Sequence, residues 1–497
     1  MTTLLSDLVQ YRVLFQLIFV LGIGGAFQHG FQISAINSAS PFIKLFINQT
    51  WQNRYSTPID GETLTLLWSS LVSVYSIGGL LGSLAAGHLI ALYGKKNCQL
   101  WNSLIPVGAA LLTGLSKVAG SFEMILAGRF FYGVNAGLGF SVHALYLGEV
   151  APKKLRGFTN STGPIFSIMG KLLGQIVGLR EMLGTECLWP FLLALSGVTS
   201  LVQLLLLPFF PETPSYLLMQ KGNLEDCRKA MKQLWGEGDH QSEIDDMMRE
   251  QAARSKTTIL TPLELLREKS LRWQLYILVV LVSSMQLSGF NAIYFYSYDI
   301  FQAAGFSLDD IPYLTLGAGI CEAISIMLCS LLVERYGRKL LLLTGYGLMA
   351  FVLGLLTVTL SLQVWSHWMP YASIALVFLF IIFFATGPLG ATAVISIEIF
   401  NQFSRAAAFV IFGSLNWVGL YLITLAFPFV VTILGHFCFL VFLGCIVIGW
   451  IFIYFFLMET RGKSIAEIME EFNKLNFRTK GMQASKEIQE HPVCTRL

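Results

Sequence analysis

Charge is the scarcest thing in this sequence. Asp, Glu, Lys and Arg make up 13% of its 497 residues, where a soluble domain carries about a quarter. A chain this poor in charge cannot clothe a water-facing surface of its size. The net charge of +3 gives no basic stripe for a nucleic-acid partner. A Gly-x4-Gly-Lys-Ser/Thr phosphate loop is also missing. The seven histidines are dispersed, and no Ser/His/Asp set, metal cluster or convergent carboxylate pair stands out. No enzyme, metal site or cofactor is expected. The eight cysteines follow neither a disulfide nor a metal spacing. Cys98, Cys227, Cys321, Cys329, Cys438, Cys445 and Cys494 read as small hydrophobes or free thiols, and Cys187 faces outward without an obvious partner. A cleavable signal is missing too. The first apolar run starts near Val13, contains Gly22, Gly24 and Gly25, and reads as a first transmembrane helix.

What the sequence has in quantity is apolar length. Hydrophobic residues make up 55% of the chain and the mean hydropathy is +0.64. Crossing ~30 Å of hydrocarbon takes ~20 residues of helix. Runs broken by charge, Pro and Gly give twelve spans: 13–36, 64–86, 98–115, 122–147, 158–179, 189–207, 275–297, 311–333, 340–362, 368–397, 405–431 and 437–457. The fold class expected is an all-α membrane protein with two pseudo-symmetric six-helix halves. The division is 1–210 for the first half, 211–273 for a cytoplasmic linker, 274–458 for the second half and 459–497 for a cytoplasmic tail.

Positive charge sets the orientation. Lys95 and Lys96, Lys153, Lys154 and Arg156, then Arg335, Arg338 and Lys339 all fall on one side, with the linker. Both termini are therefore expected in the cytoplasm. Asn48-Gln49-Thr50, a glycosylation acceptor, falls in the outer loop between spans one and two. In the linker, Leu224, Ala230, Met231 and Leu234 recur at helical spacing, as do Ile244, Met247 and Met248, which predicts short amphipathic helices.

Three local patterns occur twice, about 245 residues apart. Tyr93-Gly94-Lys95-Lys96 recurs as Tyr336-Gly337-Arg338-Lys339. Glu149 with Arg156 recurs as Glu398 with Arg405. Pro211-Glu212-Thr213 is echoed by Met458-Glu459-Thr460. Each copy sits at a cytoplasmic helix end, as duplication of a six-span half requires. Gly94 and Gly337 permit tight turns. The charged residues can pair across helix ends, either to anchor loops or to hold the halves together when that side is closed.

Taken together, the motifs resemble the sugar-porter branch of the major facilitator superfamily. They are Arg129-Phe-Phe-Tyr-Gly133, Glu149 to Gly157, Pro211-Glu-Thr-Pro214, Gln286-Leu-Ser-Gly-Phe-Asn291, Glu334-Arg-Tyr-Gly-Arg338, Gly387-Pro388, Asn416-Trp417 and Glu459-Thr-Arg-Gly-Lys463. The chain is similar to the facilitative hexose transporters, in their class II fructose-and-urate branch. The resemblance implies uniport of a monosaccharide by alternating access, without cofactor, through a monomeric unit of the plasma membrane. It implies substrate contacts at Gln286, Asn291, Asn416 and Trp417. It places gating at Tyr294 and Ile293 and at Gly387 and Pro388. It assigns a cytoplasmic salt-bridge network to Arg129, Glu149, Arg156, Glu212, Glu334, Arg338, Glu398, Arg405 and Glu459.

The sequence also departs from that pattern. Pro164 stands where the family has a span-five glutamine, and Met285 where it has the first amide of a pair. Ala393 replaces a tryptophan, as in the fructose branch. Phe384, Ala385 and Leu420 fall at other lost polar positions, and Ser215 replaces an arginine.

Two charges appear instead. Lys171 lies about fourteen residues, ~21 Å, into span five from the cytoplasm, and Glu322 about eleven residues, ~16 Å, into span eight from outside. The depths nearly coincide across the ~30 Å core. An isolated charge there is costly, so an ion pair beside the substrate cavity is expected, either as a static bridge or in contact with substrate. The function expected is facilitated diffusion of hexoses, fructose first and glucose second. The alternatives are urate or another organic anion drawn to Lys171, proton-coupled sugar uptake, and a non-transporting sugar sensor. Against proton coupling, the stretch from Gly24 to Asn37 has no Asp or Glu.

Overall fold

The computed structural model describes residues 10–152, 155–236, 238, 241–255, 261–362, 365–400, 404–461, 463, 467–472 and 474–475. Lys153, Lys154, Cys494 and most of the tail lie outside them, as do the side chains of Arg156 and Glu334. Among the described residues every regular element is a helix. Span one is Arg12–Gly24 and Ala26–Ser38, interrupted at Gly25. Spans two to six are Gly61–Tyr93, Lys95–Leu115, Phe122–Val150, Arg156–Val177 and Trp189–Leu206. Span seven is Arg272–Gln286 followed, across a left-handed Gly289, by Phe290–Phe295. Spans eight and nine are Ile311–Tyr336 and Arg338–Ser361. Span ten runs through Met369–Phe384, a π-helical turn Ala385–Leu389 and Gly390–Glu398. Spans eleven and twelve are Arg405–Leu434 and Cys438–Phe456.

Nine described stretches are long and apolar enough to cross a membrane, and the last, Arg405–Phe456, holds two spans. Spans four and five are not among them, being richer in polar residues, and on span four those side chains find partners inside the protein. Asn135 of span four donates to Gln28 of span one at 2.7 Å. In hydrocarbon such groups survive only when partnered by another helix. Spans two and four also approach closely: a Cβ on Gly133 would stand 2.0 Å from the Tyr75 carbonyl oxygen.

Two outcomes differ from the linear reading. The segment after span one is a helix, Ser40–Tyr55, opened by Pro41 and placing Asn48 at its exposed surface. The linker forms Pro214–Met219, Leu224–Trp235, Gln241–Ser255 and Pro262–Arg267. Leu224–Trp235 buries Ala230, Met231 and Leu234 as the spacing predicts, whereas Leu224 and Met248 stay exposed.

The repeated motifs are helix caps. Gly94 and Gly337 have φ of +82° and +91°, which only glycine adopts cheaply, and each turns the chain straight into the next span. The first amides of that span then need acceptors. The Glu212 carboxylate accepts from Lys96 N at 2.9 Å, and Glu459 accepts from Arg338 N at 2.9 Å and Lys339 N at 3.0 Å. The lysine tips match too: Lys96 Nζ donates to the Pro208 carbonyl and Lys339 Nζ to that of Tyr454, at 2.8 and 3.0 Å. Burial pushes the Glu212 carboxyl up. At Glu459 burial acts the same way, but amide donors led by Arg338 and Arg461 outweigh it and hold the carboxyl below its usual range. Replacing Glu459 with Ala is expected to cost about 1–2 kcal/mol, read as a lower melting temperature in detergent with substrate affinity unchanged.

Candidate functional site

Two buried charges meet between the two halves. The Lys171 ammonium lies 2.8 Å from the Glu322 carboxylate, and their side chains are 12% and 2% exposed. The pair expected from helix depth is therefore formed. Both charges come from interior faces of spans five and eight, and the ammonium also sits 4.4 Å above the Tyr294 ring and 5.4 Å from that of Phe290. Tyr294 and Ile293 are buried, on the short helix that follows the break in span seven. Phe290 stacks on Phe384 at 3.8 Å, so one lost polar position has become an aromatic wall.

Beside the pair runs a chain of three amides. Asn291 Nδ2 donates to Gln286 Oε1 at 2.7 Å, and Gln286 Nε2 donates to Asn416 Oδ1. The break at Gly289 makes this possible, because a continuous helix would turn Asn291 away from Gln286. Trp417 follows Asn416 and reaches across to the first half. Its ring lies 5.5 Å from His29 and 5.9 Å from Tyr75, and a Cβ on Gly79 would meet it at 2.3 Å. Gly387 and Pro388 are not beside these groups. They pack against span nine, where a Cβ on Gly345 would stand 2.7 Å from Pro388.

The charged network divides by location. Lys95 pairs with Glu149 at 2.9 Å and Arg338 with Glu398 at 3.0 Å. Each pair joins helix ends within one half. Thr460 Oγ1 donates to the second Glu398 oxygen at 2.6 Å, and Arg405 donates to the Phe400 carbonyl at 3.2 Å.

Arg129 requires a correction. Span four carries Glu149 at its last turn, whereas Arg129 stands seven residues after its start, so Arg129 lies near the opposite end of the helix and cannot join the network of Lys95, Glu149, Arg338 and Glu398. It is fully buried, donates to the backbone and side-chain oxygens of Gln32 at 3.1 and 3.3 Å, and stacks 4.5 Å from the Tyr75 ring.

The end away from Lys95 and Arg338 is closed by bonds the sequence reading missed. Asn37 donates to Ser297 at 2.6 Å, Lys44 pairs with Asp299 at 2.7 Å, Arg180 with Asp309 at 2.6 Å, and Tyr313 donates to Glu181 at 2.6 Å. All four join the first half to the second. Lone polar residues in loops carry no sequence signal for such pairing. Being half-exposed, the ion pairs contribute modestly, about 0.2–1 kcal/mol each. Asp299→Asn is expected to shift the protein about two- to fivefold toward an outward-open state, checked by labelling of a cysteine placed near Ile293.

Residues 17–472 match the family model described as "Sugar (and other) transporter". The chain is 42% identical to solute carrier family 2, facilitated glucose transporter member 11 of Homo sapiens, over 95% of both chains. It is 40% identical to human member 9, over 91% of this chain and 84% of that one. With member 5 of Rattus norvegicus it shares 40%, over 92% and 91%. In structure it superposes on the inward-open xylose transporter XylE from E. coli with a TM-score of 0.75 at 18% identity, covering 92% and 99% of the two chains.

Proposed function

The chain belongs to the sugar transporter family, and on that premise we propose that it carries hexoses by facilitated diffusion, fructose first. The observation that supports this best is the 2.8 Å Lys171–Glu322 pair beside the amide chain. The ammonium and carboxylate cancel at contact distance, so the cavity offers hydrogen bonds without net attraction for an anion. A neutral polyol gains from such a wall, and urate gains little. Gln286, Asn291 and Asn416 supply donors and acceptors, and Trp417 supplies a flat face for the apolar side of a sugar ring. Tyr294 and Ile293 form the outer gate, and Gly387 and Pro388 let span ten bend.

Uniport is favoured by the partner of Arg129. A proton-coupled carrier needs a carboxylate that gains and loses a proton during the cycle. Arg129 instead meets Gln32, which does not titrate. Glu322 lies inside the membrane core, where its carboxylate is already engaged by Lys171 at 2.8 Å. The unit that transports is a monomer of the plasma membrane, with both termini in the cytoplasm and a glycan on Asn48.

The test is uptake of radiolabelled fructose, glucose and urate into proteoliposomes of the purified chain. Saturable fructose uptake, with urate slower by an order of magnitude or more, is the expected result. Urate uptake without hexose would move the assignment to an anion carrier, and uptake of none would favour a sensor.

A further inference from the structure

The first half has lost its family amide at Pro164, yet besides Lys171 another polar group faces the cavity from that side. His29 of span one is half-buried, edge-on to Trp417 at 5.5 Å and to Phe140 of span four at 6.2 Å. Its Nδ1 shares a 2.8 Å hydrogen bond with the Tyr75 hydroxyl. Tyr75 is fully buried, beneath the Arg129 guanidinium.

This arrangement selects a tautomer. The His29 ring is the described partner of the Tyr75 hydroxyl. If Nδ1 carried the proton, the Tyr75 O–H would be a buried donor without an acceptor, at a cost of about 1–3 kcal/mol. With Tyr75 donating, its proton is satisfied and the neutral ring carries its own proton on Nε2. The guanidinium over the phenol ring draws electron density from it and strengthens the same donor. Among the described residues nothing bonds Nε2, and it is not one of the sealed-off polar atoms of the interior. It opens to the space between the halves, next to Trp417.

We infer that His29 donates from Nε2 to one oxygen of the transported sugar, held in that tautomer by Arg129 acting through Tyr75. His29 is thus a specificity-determining contact of the first half, and Arg129 and Tyr75 are positioning residues. The inference rests on the hexose reading above.

The test pairs a substitution with a substrate lacking one hydroxyl. Uptake kinetics are measured in proteoliposomes for fructose and its monodeoxy analogues. For wild type, KM rises about three- to tenfold for the analogue missing the contacted oxygen. In His29→Phe, which keeps a flat ring against Trp417, the KM of fructose rises by the same factor and that analogue loses nothing further. His29→Gln, whose amide nitrogen reaches the place of Nε2, restores the discrimination. Tyr75→Phe weakens it. A purely structural role would lower uptake of every sugar equally and leave the discrimination intact. Full additivity of the two losses, or an unchanged KM for fructose in His29→Phe, overturns the inference. His29→Leu, also without a donor, carries the same test if the phenylalanine variant does not fold. Failure of the wild-type chain to carry any hexose would strike the function instead, so the two failures are distinguishable.

Discussion

Glu322→Gln is expected to abolish hexose uptake and to lower the melting temperature of the purified protein. The substitution leaves the Lys171 ammonium in the cavity wall without its counter-ion. Breaking a buried pair by removing one partner costs about 3–5 kcal/mol, which is more than a hundredfold in any equilibrium that depends on it. Lys171→Met should fail for the mirror reason. The double variant Lys171→Met/Glu322→Gln leaves no unpaired charge, so most of the stability returns. Transport is the informative readout there. If the pair only bridges spans five and eight, the double variant regains uptake. If the pair also touches sugar hydroxyls, as proposed, the double variant melts near wild type and still transports poorly. Melting curves and uptake on the same four preparations separate the cases.

The second large effect is expected at Gln286. Its carbonyl oxygen accepts from Asn291 and its amide nitrogen donates to Asn416, so it holds both neighbours in place. Gln286→Ala removes a proposed substrate contact and frees the other two amides to turn away. Each neutral hydrogen bond contributes about 0.5–1.5 kcal/mol, and an orphaned polar group costs about 1–3 kcal/mol more. The sum, about 1.5–4.5 kcal/mol, corresponds to a fall of at least about tenfold in kcat/KM for fructose, carried mostly by KM. Stability should change far less than in Glu322→Gln, because no charge is stranded. A variant that loses stability and uptake together would mark Gln286 as interhelical glue.

Much of this architecture was legible before any coordinate. The fixed rise of a helix placed Lys171 and Glu322 at nearly one depth, and the cost of an isolated charge did the rest. The Gly-Lys/Arg and Glu-Thr repeats announced duplicated helix ends, although their role as backbone caps needed the geometry of Glu212 and Glu459. Arg129 was grouped with the helix-end charges by motif, although counting along span four puts it far from the Glu149 end. His29 went unseen since a lone histidine in an apolar run carries no pattern. Its meaning comes from Tyr75 and Trp417, 46 and 388 residues away in sequence. The latch at Lys44 and Asp299 was hidden for the same reason. Long-range pairing of single polar residues leaves no local periodicity.

The central claim is that a neutral hexose crosses by facilitated diffusion, without a proton. It is tested most directly by the steady-state ratio of internal to external fructose in proteoliposomes under an imposed inward proton gradient. The account predicts a ratio of about one, reached at the same rate with and without the gradient. Accumulation well above one, collapsing when the gradient is discharged, would contradict it and make Glu322 the coupling acid.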